Sequence, residues 1–112
     1  MNNLKQLFKQ SLESIFPVNA QYDYEENLNK IRINYEIQVE KRTTYKNSRS
    51  ICIHFNIDVI TAFRNANNSR LSKLEKSLQK FLKSSLSDYD ENGPHDSAFD
   101  IDVDDRVLDL DF

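Results

Sequence analysis

One cysteine, one glycine, two prolines and no tryptophan stand among 112 residues, and each scarcity excludes something. A lone Cys52 forms no intramolecular disulfide and no multi-cysteine metal site. That usage fits a reducing compartment. Gly93, the single glycine, cannot build a glycine-rich loop that cradles phosphate. No stretch approaches the roughly 18 apolar residues of a membrane span. Lys5, Lys9 and Glu13 interrupt the N-terminal apolar positions, so the chain shows no uninterrupted signal-peptide core. The expectation is a cytoplasmic protein with no membrane partner.

What is present fits one small α+β domain spanning residues 1–112, since domains typically hold about 100 to 150 residues. Seven Phe and five Tyr supply one modest core and set the chain apart from disordered sequences, which lack such residues. Charge is split along the chain. Residues 1–87 carry 14 Lys and Arg against 8 Asp and Glu, a balance of +6. Residues 88–112 carry 1 Arg against 10 Asp and Glu, a balance of −9, and together these give the net −3. The division is a basic body (1–87), a loop (88–98) and an acidic C-terminal strand or tail (99–112). Such asymmetry points to an acidic tail or to partners of opposite sign.

Hydrophobic periodicity lays out the elements. Leu4, Leu7, Phe8, Leu12, Ile15 and Phe16 form one helical stripe, with Asn3 as N-cap, Gln6 three residues on and Pro17 as the stop. Residues 30–40 and 50–59 alternate strictly, with Ile31, Ile33, Tyr35, Ile37 and Val39, then Ile51, Ile53, Phe55, Ile57 and Val59, on the apolar phase. Period two predicts strands that bury one face and wet the other. A shorter strand at 18–24 precedes them, turned back through residues 25–29. Leu71, Leu74, Leu78, Phe81, Leu82 and Leu86 predict a helix over 69–86 after a break at Asn67-Asn68-Ser69. Residues 59–67 read equally as a helical turn or as a continuing strand, with Asp58 available as a cap. Beyond Gly93-Pro94, Phe99, Ile101 and Val103 alternate with Asp100 and Asp102, and Leu108, Leu110 and Phe112 with Asp109 and Asp111. The expected fold is an antiparallel sheet of three to four strands with two helices packed on one face, in the order α-β-β-β-α-β.

Catalytic and metal chemistry find little support in this pattern. Cys52 and His54 share the wet phase of one strand, about 7 Å apart from the strand rise, too far for a nucleophile–base pair. Asp100, Asp102 and Asp104 form a row with the same spacing, and the central Gly and terminal Glu of a calcium loop are missing. The expectation is therefore no enzyme, no metal and no cofactor.

Binding features are richer. Lys41, Arg42, Lys46 and Arg49 surround Tyr45 at a hairpin tip, and Lys73, Lys76, Lys80 and Lys83 line the polar side of the second long helix. Cations with an interleaved aromatic suit phosphates and stacked bases. Plain solvated surface accounts for the same residues. The acidic segment is expected to be ordered, because a solvated tail has no need of a hydrophobe at every second position.

Val107-Leu108-Asp109-Leu110-Asp111-Phe112 resembles the bacterial sliding-clamp-binding peptide, in which a Gln precedes Leu-x-Leu-x-Leu/Phe. Leu108, Leu110 and Phe112 match the pocket-filling positions, and Val107 stands in place of the Gln. The same ending is similar to the acidic tail of bacterial single-stranded DNA-binding proteins, without its Ile-Pro-Phe. Neither resemblance extends beyond the last residues.

The leading expectation is a protein-binding module of inhibitor, immunity or adaptor type. Asp100, Asp102, Asp104, Asp105, Asp109, Asp111 and Phe112 would form an acidic edge against a basic protein, such as a nuclease, toxin or DNA-binding protein. The alternative is nucleic-acid binding through Lys41, Arg42, Tyr45, Lys46, Arg49 and the lysine-rich helix, with the acidic segment as internal competitor. A homodimer through an edge strand such as residues 18–24 is a further expectation.

Overall fold

The computed structural model describes residues 4–36, 49–89, 98–104 and 106. The first helix, α1 (Leu4–Glu13), buries Leu4, Leu7, Phe8 and Leu12, with Phe16 just beyond its end. This is the stripe that the spacing predicts. Asn3, the expected cap, lies outside the described residues. The Leu4 N–H instead donates to the Glu26 carboxylate, at 2.9 Å from Oε1 and 3.2 Å from Oε2. A helix start leaves several N–H groups without intrahelical partners and carries positive partial charge, so a carboxylate there satisfies both.

Strands β1 (Gln21–Glu25) and β2 (Lys30–Asn34) form an antiparallel hairpin with Tyr22 opposite Ile33 and Tyr24 opposite Ile31. A short 3-10 turn at Glu26–Leu28 joins them, closed by Asn29 in the left-handed region at φ 49°. Asparagine tolerates that region better than most non-glycine residues. The first strand starts later than the expected 18–24, and Val18 is fully exposed. Tyr35 and Glu36 follow β2, and residues 37–40 lie outside the described set.

Strand β3 (Ile51–Phe55) pairs antiparallel with β2, setting Ile31 opposite Ile53. The expected strand over 50–59 is cut short. Asn56 caps a helix, α2 (Ile57–Asn65), its side-chain oxygen accepting from the Asp58 N–H at 2.8 Å. Ile57, assigned to a buried strand position by the alternation, is 59% exposed. Val59, Ile60, Ala62 and Phe63 face inward at helical spacing. The long helix α3 (Asn68–Ser85) begins where the break predicts, with the Asn67 side chain accepting from the Arg70 N–H. It buries Leu74, Leu78 and Leu82.

Strand β4 (Phe99–Val103) completes a four-stranded sheet in the order β1-β2-β3-β4. It runs parallel to β3, with Ile53 opposite Ile101 and Phe55 opposite Val103. Two expectations are corrected here: the sheet is mixed rather than antiparallel, and among the described residues three α-helices rather than two accompany it. The physical reason is the connection. Two helices between β3 and β4 carry the chain back to its starting end, the crossover that parallel neighbours need.

Apolar residues of α1, α2 and α3 join Ile31, Ile33, Ile51, Ile53, Ile101 and Val103 in one core. At its centre the Phe8 ring stacks on Phe55 at 4.1 Å and tilts against Phe63 at 4.9 Å. Among the described residues, no helix is long and apolar enough to cross a membrane.

Candidate functional site

Helices cover one face of the sheet, and the opposite phase of each strand builds the other. Pairing register arranges that second face in two rows. One runs Asp23, Arg32, Cys52, Asp100, and the other Glu25, Lys30, His54, Asp102. Carboxylates therefore occupy both outer columns and cations the second column, with Cys52 and His54 between them and β4.

The β1 side of this face is internally paired. Lys30 Nζ lies 3.3 Å from Glu25 Oε2, and both side chains are mostly buried, 16% and 30% exposed. The β4 side is open. Asp100 and Asp102 are exposed, and Asp104 beyond the strand is half-buried. His54 Nε2 stands 3.1 Å from Asp100 Oδ1, reaching diagonally across from its register partner Asp102. When the imidazole is protonated this contact is an ion pair; when neutral it is an ordinary hydrogen bond with Nε2 as donor.

Cys52 departs from expectation. It belongs to the polar phase, yet it is only 2% exposed. Its register neighbours are Arg32 on β2 and Asp100 on β4. The pairing of Cys52 with His54 as nucleophile and base is thus further weakened by burial of the sulfur. Among the described residues, no group of three or more His, Cys, Asp or Glu side chains is placed to hold a metal ion.

Arg49 is tied into the fold at the entrance to β3. Its guanidinium donates to the Ala98 carbonyl at 3.4 Å and lies 5.5 Å from the centre of the Phe99 ring. The Tyr89 hydroxyl donates to the Arg49 carbonyl, and the Tyr89 ring meets Phe99 edge-on. This cluster anchors the start of β4, and no local pattern announces it, because Arg49 lies 40 or more residues from its partners. Lys41, Arg42, Tyr45 and Lys46 lie outside the described residues, as do Asp105, Asp109, Asp111 and Phe112 with both short peptide resemblances. Lys73, Lys76, Lys80 and Lys83 are all exposed on α3, distant in the chain from β4.

Tyr22 and Tyr24 stack at 6.1 Å near the edge of the core, with Phe16 edge-on to Tyr22. Burial raises the pKa of both phenols above the usual tyrosine value, and the negative charge of Glu13 adds to the effect; Tyr22 also raises Tyr24. No protein-family model matches the chain, and comparisons with curated proteins and with solved structures return no match.

Proposed function

We propose that this chain is a small non-enzymatic binding module, of inhibitor, immunity or adaptor type, that presents the acidic edge of β4 to a basic protein. The observation that carries this reading is the placement of Asp100 and Asp102. Both are exposed, while Ile101 between them and Val103 beyond are buried. Core packing thereby holds two carboxylates on one lattice, about 7 Å apart at Cα. Fixed charges of one sign steer a partner of the opposite sign and set the register of docking. A nuclease, toxin or DNA-binding protein has the basic surface required.

The test is affinity capture from the native host with the full chain and with the Asp100→Asn/Asp102→Asn variant. A basic protein retained at low salt, released at high salt and lost by the variant is the expected result. Equal retention by the neutralised variant would sink the reading.

Nucleic-acid binding is the second reading, favoured by the four exposed lysines Lys73, Lys76, Lys80 and Lys83 on α3. The acidic edge would then act as a competitor. Deleting it is a poor test, since Ile101 and Val103 belong to the core. Charge-neutral substitution of Lys76 and Lys80 by Gln, read by fluorescence anisotropy with labelled RNA and DNA at low salt, decides it. Absence of binding by the unsubstituted chain removes this option.

A further inference from the structure

We infer that the outer edge of β4, against which no described strand lies, receives an extended segment of the partner as a further strand, antiparallel, with Lys or Arg at every second position. This rests on the reading of β4 as the partner-binding edge and specifies how that edge is used.

The backbone phase is the first observation. The Phe99 N–H donates to the Ser50 carbonyl at 2.8 Å, and the Val103 carbonyl accepts from the Asn56 N–H at 2.9 Å. Residues 99, 101 and 103 thus turn their backbone groups toward β3, as the parallel ladder requires. Along a strand, successive residues direct N–H and C=O to opposite edges. Asp100 and Asp102 therefore direct theirs away from β3, and β4 is the last strand in the sheet order. Among the described residues no strand lies against that edge.

The side-chain phase is the second. The same two residues that offer backbone pairing carry the exposed carboxylates. An added antiparallel strand exchanges both hydrogen bonds with the residue directly opposite, and that residue's side chain lies on the same face as the carboxylate. Lys or Arg opposite Asp100 and Asp102 is complementary. The residue between them falls on the helix-covered side, beside buried Ile101, and suits an apolar side chain. The recognised pattern is basic–apolar–basic.

Charge also selects against other occupants. A second copy of β4 in antiparallel register about Ile101 sets Asp100 opposite Asp102, and like charges directly opposite are destabilising. Exposed acidic rows on an edge are one means by which proteins suppress pairing with themselves. The β1 edge is the weaker candidate: its Glu25 carboxylate meets Lys30 with both side chains mostly covered, whereas Asp100, which meets His54, keeps 63% of its side chain exposed.

The probe is a short end-blocked peptide alternating Lys and Val, added to the isotope-labelled full chain at low salt. Controls are a peptide of the same composition with its lysines in one block, and two alternating peptides N-methylated at every Lys or at every Val. Strand addition predicts slowed hydrogen exchange at the Asp100 and Asp102 amides. N-methylation at Lys removes the hydrogen bonds facing β4 and is expected to weaken binding about tenfold or more, from at least two lost bonds. N-methylation at Val leaves it nearly unchanged. The Asp100→Asn/Asp102→Asn variant, checked for its fold by circular dichroism, loses the preference for the alternating peptide. Equal binding of all four peptides overturns strand addition while leaving the acidic-edge reading intact. Failure of every peptide to bind also overturns it, and the host-capture experiment then decides the acidic-edge reading separately.

Discussion

The two faces of the sheet are written by the same four strands and obey different rules. On the helix side, Ile31, Ile33, Ile51, Ile53, Ile101 and Val103 are all nearly inaccessible, and one apolar side chain there resembles the next. On the open side the order of signs matters: acid, base, thiol or imidazole, acid across each row. Period two lets a strand carry both patterns at once. The lesson is that a buried packing pattern and an exposed charge pattern can be interleaved residue by residue, so that a change on one face need not disturb the other.

Single substitutions can break that separation or sharpen it. Phe8→Ala should have the largest effect, removing a fully buried ring that contacts both Phe55 and Phe63, and costing about 3–5 kcal/mol. Asp102→Asn on the opposite face should change stability by no more than about 0.5 kcal/mol. Urea midpoints of the two variants measure the contrast directly; comparable losses would mean that the open face is structural. Asn56→Ala comes next. It removes the cap of α2 and should cost about 1 kcal/mol in the same assay, with Asn56→Asp retaining most of the stability.

The smallest effect concerns the tyrosines. Burial is the main cause that raises Tyr22 and Tyr24 above their unfolded value of about 10; Glu13 adds to it at Tyr22, and Tyr22 and then Glu13 add to it at Tyr24. A raised folded pKa means that the unfolded chain loses its phenolic protons first. The stabilisation is complete below about pH 10 and declines as pH rises through the folded values. The thermal midpoint should therefore fall more steeply above pH 10 for the native chain than for a Tyr22→Phe/Tyr24→Phe variant.

Most of this layout was legible in the sequence where one periodicity ran without competition. The stripe of α1, the break before α3 and the alternation of β4 all appear in the structure. Residues 57–59 were not legible, because Ile57 and Val59 continue the β3 alternation while Val59, Ile60, Ala62 and Phe63 also satisfy a helical spacing. Asn56 with Asp58 two residues on was the available signal for the change. Strand direction was hidden too, since an alternating pattern does not encode which neighbour a strand takes or whether it runs parallel. The Glu26 contact to Leu4 and the Arg49–Tyr89–Phe99 cluster join residues far apart in the chain, and no local pattern announces them. For the site, the acidic row was readable as spacing. Its parallel pairing with β3 was not.

The parallel pairing of β4 also bears on time. His54 and Asp100 meet across 46 positions of chain, with α2 and α3 in between, whereas β1 and β2 are joined through one short turn. Distant pairings form slowly because closing a long loop loses entropy before contacts compensate. Contact order thus predicts that the hairpin assembles early and the acidic strand later. The aspartates of β4 are therefore expected to reach their final spacing only on molecules whose core is already complete.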